Sequence, residues 1–255
     1  MFMEKNKIKE MDDDCSRALT ADRVRRIREA SLRPTRRTTL VYLIRHATST
    51  ANIRPGPKLH NGRHIEVGLS DGGRVEALRL RARLVMDGVV FDRVYASDAL
   101  RAQETAEIAC RRSPEIVDGI GEISMGGWTG QTISSCDTPT VRKEREADAW
   151  EWRPPGVSFD EGLPGESYRD VEDRFMAFLE GILSGGTVAV FSHHAAIRCV
   201  LRAVLEASPR MLAPKLEPGN TSITVLRYDA TSVGRKGGWS VVCINDTAHL
   251  ATSKL

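Results

Sequence analysis

No apolar stretch in this 255-residue chain is long enough to cross a membrane, no cysteines have metal or redox spacing, and no tract repeats or is of low complexity. A membrane-spanning helix needs about 20 mostly apolar residues in a row, so the first absence excludes one. Glu4 and Lys5 follow Met1-Phe2-Met3 at once, leaving no apolar segment of the kind a secretory signal requires. The five cysteines, at 15, 110, 136, 199 and 243, cannot all pair and fit no ligand pattern. Together these absences predict a reduced, cytoplasmic protein without a membrane span. The hydrophobic content of 41% in a chain of this length is enough to bury one substantial α/β core.

Neither sign of charge dominates, since the net charge is only +3, but the charge is unevenly spread. Residues 1–38 hold eleven Lys/Arg against seven Asp/Glu, and the eight arginines among them lie between Arg17 and Arg37. A helix over Thr20–Ala30 would present only Val24 and Ile27 on one face, too little to bury. Residues 1–38 are therefore expected to be a flexible basic extension; contact with nucleic acid, an anionic membrane surface or a partner is the alternative.

The rest of the chain, 39–255, alternates strand and helix patterns. Strands are predicted near 39–44, 93–97, 115–117, 187–192, 222–228 and 239–244, and helices near 70–87, 98–112, 165–183 and 194–206. This alternation predicts an α/β fold, a three-layer α/β/α sandwich with a mainly parallel central sheet. Reactive groups in such a sheet belong at the carboxyl ends of its strands. Three predicted strand ends deliver a cation or an imidazole. Leu40–Ile44 ends in Arg45-His46. The strand before Ser97 leads into a helix that Ser97 or Asp98 would cap, with Arg101 in its first turn. Thr187–Phe191 ends in Ser192-His193-His194.

Two arginines and two histidines around one point suit a phosphoryl group. Guanidinium forks match its oxygens with paired, charge-assisted hydrogen bonds, and a neutral imidazole can attack phosphorus and hold it covalently. A leaving alkoxide then needs a proton, and Glu122 is the candidate donor, in the glycine-rich loop Gly121–Gly130 after a short strand.

These residues resemble the histidine phosphatase superfamily, the phosphoglycerate mutase-like phosphatases. The Arg-His-Gly-x-[Ser/Thr]-x-x-Asn signature of that family is matched at Arg45, His46, Ser49 and Asn52. Its second element is matched at Ser97, Arg101, Ala102, Thr105 and Ala106, its third at Glu122, Gly126, Trp128 and Gly130, and its fourth at Ser192, His193, Ile197 and Arg198. The resemblance spans roughly residues 39–250. It implies that His46 is a nucleophile forming phosphohistidine, that Arg45, Arg101 and His193 bind the phosphoryl group, and that Glu122 protonates the leaving group and then activates water. It further implies phosphate contact by Asn52 with help from Ser49, and no metal or other cofactor.

The chain departs from the pattern in three places. Ala47 replaces the glycine after the histidine, which is acceptable if φ there is negative. Thr48 stands where many relatives are acidic. His194 occupies a usually small position, where it would narrow the substrate-binding pocket or carry a second proton.

Two segments are expected to cover the pocket. Residues 53–68 include Arg54, Lys58, His60, Arg63 and His64, and their glycines and prolines predict a loop rather than the helix that would let His60 and His64 share a metal. Residues 131–163 include Arg142, Lys143, Arg145, Trp150 and Trp152, whose tryptophans either enclose a leaving group or simply pack. The expected activity is metal-independent hydrolysis of a small phosphorylated metabolite. Phosphoglycerate mutase and a catalytically silent phosphate-binding protein are the alternatives, and no oligomeric state follows from the sequence.

Overall fold

A computed structural model describes residues 37–159, 162–208, 216–232 and 238–251. The basic extension, apart from Arg37 and Thr38, lies outside the described residues. Six strands form one sheet: β1 (Thr38–Arg45), β2 (Arg93–Ala96), β3 (Glu115–Ile116), β4 (Gly186–Ser192), β5 (Ile223–Asp229) and β6 (Trp239–Asp246), in the order β3-β2-β4-β1-β5-β6. The β1–β4, β2–β4 and β2–β3 pairings are parallel, and β5 runs antiparallel to both its neighbours. Seven of the eight residues of β1 are buried, which is why its sequence is apolar on both faces rather than alternating.

Six helices are described: α1 (Asp71–Met86), α2 (Leu100–Cys110), α3 (Ile133–Cys136), α4 (Pro139–Ala147), α5 (Tyr168–Gly181) and α6 (His194–Leu205). The connections through α1 and α2 step toward the β3 edge, whereas those through α5 and α6 step back toward β6. Right-handed crossovers in the parallel β1–β2, β2–β3 and β3–β4 connections therefore put α1 and α2 on one face and α5 on the other, where α6 packs with α5 in the same core. Val41, Leu43, Val188 and Val190 pack with Phe175, Leu179 and Ile197 on the α5–α6 side, each buried apolar side chain adding about 1.5–3 kcal/mol. Because β1 leaves toward one face and its neighbour β4 toward the other, a crevice opens between their carboxyl ends, the usual ligand position in an open sheet.

The helix ends explain local sequence. Ser167 opens α5 with a capping box to Asp170, and Ser70 caps α1. Ser97 and Asp98, predicted to cap α2, do not: the cap residue is Ala99, without a side-chain bond. The Ser97 hydroxyl is engaged across the sheet with His193 instead. Segment 131–163 holds α3 and α4, helices the sequence reading did not place. Segment 53–68 is a loop, so the helical spacing of His60 and His64 is not realised.

Candidate active site

The parallel register of β1 and β4 aligns Arg45 with Ser192, so the residues that follow, His46 and His193, emerge side by side. Their ring centroids are 5.1 Å apart. The His46 backbone N–H donates to Ser192 O at 2.9 Å, and the Ala47 N–H donates to Thr105 Oγ1 of α2 at 3.0 Å. Ala47 is not among the residues with positive φ, so alanine serves here in place of glycine.

The proton on His46 is assigned by its partner. Nδ1 lies 2.7 Å from Ala47 O, and a carbonyl only accepts, so Nδ1 carries the hydrogen and Nε2 keeps its lone pair. Burial, and then Arg101 and Arg45, push the His46 pKa well below the ordinary imidazole range, which keeps that lone pair unprotonated at neutral pH. His193 is depressed in the same way, by burial first and then by Arg101 and His46. Its Nε2 is 2.6 Å from Ser97 Oγ, which also accepts from the Ala99 N–H. With Nε2 the one acceptor near the Ser97 proton among the described residues, Nδ1 of His193 becomes an N–H donor. That Nδ1 and Nε of Arg45 are both buried with no protein partner among the described residues. The two orphaned donors come from the carboxyl ends of neighbouring strands β1 and β4, where an acceptor from outside the chain would satisfy them, and a phosphoryl oxygen fits.

Arg45 donates from Nη1 to Pro218 O at 2.7 Å, and Arg101 donates from Nη1 to His64 O at 2.6 Å. Each fork is thereby fixed before any ligand arrives. Asn52 is exposed; its Oδ1 accepts from the N–H and hydroxyl of Ser49 at 3.0 and 3.1 Å, which leaves the amide NH2 for a ligand. Ser49 is buried and holds the Asn52 side chain. Thr48, at the position often acidic, binds Glu76 of α1 through both its N–H and its hydroxyl at 2.8 Å, so a carboxylate reaches this loop from another element. The helix can come this close because residue 73 is glycine: a Cβ there would collide with the Thr48 carbonyl.

Glu122 completes the site. Its carboxylate accepts from the N–H groups of Ala195 and Ala196 at 3.2 Å, supplying the cap that His193 does not give to α6. Its loop is fastened from two sides. Ser192 Oγ donates to Ile120 O at 2.7 Å; Arg174 of α5 donates to Gly119 O and Glu122 O at 2.9 Å, and pairs with Glu166, which in turn accepts from the Ser124 N–H. His194 is half-buried at the first position of α6, its pKa lowered by burial against the opposing pull of Glu122. The structure thus brings Arg45, His46, Arg101, Glu122, His193 and His194 to one crevice, with Asn52 and Ser49 on its β1-side loop.

Sequence reasoning missed several supports. Asn220 Nδ2 donates to His46 O at 2.9 Å, and the Thr221 N–H reaches Arg45 O at 3.1 Å with φ at +54°, an uncommon conformation for a β-branched residue. The Thr221 hydroxyl lies 2.9 Å from Nε2 of His249. The contacts to His46 O and Arg45 O hold backbone, so no side-chain chemistry in the sequence announced them. The two expected covering segments meet: His60 exchanges backbone bonds with Gln131 and Gly130 at 2.9 and 2.8 Å, and its ring lies 5.4 Å from that of Trp128. Arg63 is no part of an open cover. It is buried, bonded to Asp98 and Asp118. The tryptophans divide: Trp150 is buried in the core, stacked on Tyr168 at 5.7 Å under Arg202, whereas Trp152 joins Trp128 and Arg145 at the cover.

The family model described as histidine phosphatase superfamily (branch 1) matches residues 41–247. The chain belongs to the histidine phosphatase superfamily. As a histidine phosphatase it is an enzyme of phosphoryl transfer, either a phosphatase or a mutase. It is 27% identical over 205 residues to a 2,3-bisphosphoglycerate-dependent phosphoglycerate mutase of Azorhizobium caulinodans, covering 75% of this chain and 94% of that one. It is 25% identical to a broad-specificity phosphatase of Saccharomyces cerevisiae, over 74% of this chain and 79% of that one. Among solved structures, a mutant phosphoserine phosphatase of Entamoeba histolytica in complex with phosphoserine superposes with a TM-score of 0.63 at 25% identity, covering 84% of this chain and all of that one. Among the described residues no helix of this histidine phosphatase is long and apolar enough to cross a membrane.

Proposed function

We propose that this histidine phosphatase hydrolyses phosphomonoesters of small metabolites through a phosphohistidine on His46, without a metal. The observation that carries the reading is the His46 tautomer: Nδ1 bound to Ala47 O leaves a bare Nε2 lone pair beside two arginines. In the first step Nε2 attacks phosphorus, the P–O bond to the leaving group breaks, and Glu122 transfers a proton to the departing oxygen. In the second, Glu122 takes a proton from water, the resulting oxygen attacks phosphorus, and the N–P bond breaks to return neutral His46 and free phosphate. Arg45, Arg101 and the Nδ1 donor of His193 stabilise the transferring group, the part played elsewhere by a divalent cation. Asn52, positioned by Ser49, adds a phosphate contact, and His194 borders the leaving group.

The test is hydrolysis of p-nitrophenyl phosphate with EDTA present, by wild type and His46→Ala. Turnover that survives chelation and vanishes in the variant is expected, together with acid-labile phosphoenzyme in the wild type. Chelation-sensitive turnover, or full activity in His46→Ala, would overturn the reading. A mutase is the second reading, favoured by the mutase relative of Azorhizobium caulinodans. Conversion of 3-phosphoglycerate that depends on added bisphosphoglycerate, with little release of phosphate, selects it.

A further inference from the structure

Beside the phosphoryl site lies a cleft of about 530 Å³ that the mechanism above does not use. Its position relative to the chemistry is fixed by three residues. Ala51 and Ile53, which flank Asn52, form one wall, and His64, whose carbonyl holds Arg101, forms another. A leaving group long enough to extend from the phosphoryl site past Asn52 and Arg101 meets this cleft. The volume lies within the range of sites for drug-sized ligands, well beyond what a three-carbon leaving group fills.

The lining has a definite chemistry. Arg54, His60, Asn61 and His64 supply donors, and no Asp or Glu among the described residues lines the cleft. Arg54 makes no hydrogen bond or ion pair with any described residue, so its charge is available. His60 is held against Trp128 and kept toward its neutral form by burial and by Arg145, and Arg54 is the permanent charge of the lining. Ile53 is 63% exposed, an apolar side chain presented to the cleft without a cover. With Leu59 and Val67 it forms a surface that an organic body would shield from water.

We infer that the preferred substrate is a phosphomonoester with a bulky, partly apolar leaving group that carries an anionic group, a carboxylate or a second phosphate, paired with Arg54. This inference rests on the phosphoryl-transfer reading above and deepens it. The test compares 6-carboxy-2-naphthyl phosphate, its neutral 6-carbamoyl isostere and the naphthalene-2,6-diyl bisphosphate, with wild type, Arg54→Gln and Arg54→Glu. Because Arg54 is exposed, the expected wild-type preference for the anionic esters over the amide is about fivefold in kcat/KM at low salt, shrinking as salt is added. Arg54→Gln should abolish that preference and Arg54→Glu invert it, with p-nitrophenyl phosphate turnover unchanged in both. Preference for the carboxylate over the bisphosphate, or the reverse, identifies which anion the cleft takes.

Equal wild-type rates for carboxylate and amide, or a preference that survives Arg54→Glu, would overturn the inference while leaving the hydrolase reading intact. If instead no ester is turned over and no phosphoenzyme forms, the hydrolase reading fails by itself. Calorimetric binding of the carboxylate and amide esters to the three proteins then still decides whether Arg54 selects an anion.

Discussion

Around His46 the backbone is held from three directions, by Ser192 O on its N–H and by Asn220 and Thr221 on its carbonyl side. The segment from Ile53 to Gly68 forms no helix and is joined to the second cover through short backbone contacts at His60 and Lys58. Both regions carry imidazoles and arginines, but they are built differently. At the strand ends, burial and fixed neighbours set protonation and aim each donor, as transition-state stabilisation requires. At the cover, Arg54 and Ile53 remain exposed and adaptable, as suits a surface that sorts leaving groups. The difference teaches that the same residue types are fixed and desolvated at the strand ends and left exposed at the cover, which suits the first to the proposed chemistry and the second to the proposed selectivity.

The largest expected break in this comparison comes from Glu122→Gln. It should lower hydrolysis of alkyl phosphates, whose leaving oxygen needs a proton, by about 10²–10⁴-fold, and that of p-nitrophenyl phosphate far less. Parallel kcat measurements on the two esters check it, and equal losses would remove Glu122 as the acid. The tryptophans separate the regions by another readout. Trp150→Ala should cost about 3–5 kcal/mol in urea denaturation with substrate ranking kept, whereas Trp152→Ala should alter the ranking at a cost below about 1 kcal/mol.

Arg174→Gln tests whether the Glu122 loop needs its clamp to α5. It should reproduce the leaving-group dependence of Glu122→Gln at about a tenth of the size, with KM for p-nitrophenyl phosphate unchanged. A loss equal for both esters would mean that the ion pair with Glu166 supports only the fold. Acid sensitivity gives a smaller effect. His46 and His193 have lowered pKa values in the fold, but in the unfolded chain each takes a proton near pH 6.5. Below that pH and above the folded values the unfolded state holds more protons, so stability falls as pH falls, by up to about 1.4 kcal/mol per pH unit for each group. His193→Gln should reduce this slope in urea titrations between about pH 7 and pH 5. The smallest effect is expected from His194→Gly: altered selectivity among leaving groups with the pH profile retained if the imidazole is steric, a shifted profile if it carries a proton.

Much of this was legible in the chain. Residue spacing placed all six strands and the four long helices that layer the sheet, because apolar periodicity follows directly from which faces a buried sheet and its helices must cover. The demand of a phosphoryl group for cations and imidazoles at strand ends predicted that His46, Arg101 and His193 would converge, and the structure brings them to one crevice. Glu122 was found from its loop, but its seat on the N–H groups of Ala195 and Ala196 was not, since those donors exist only once α6 ends beside it. Ser97 shows the opposite failure: local preference made it a cap, and the longer-range bond to His193 overrode that preference.

The sequence by itself determined the order of the six strands and four long helices, through apolar periodicity, and the charged groups and motifs by which the chain resembles the histidine phosphatases. Only the tertiary structure decided which nitrogen of His46 keeps its lone pair, that Trp150 belongs to the core while Trp152 faces the cover, that Asn220 holds the His46 carbonyl, and that Arg54 has no partner among the described residues in a cleft beside Asn52. Each of these depends on distances between residues far apart in sequence, and those distances are fixed only when strand register and helix packing bring the elements together.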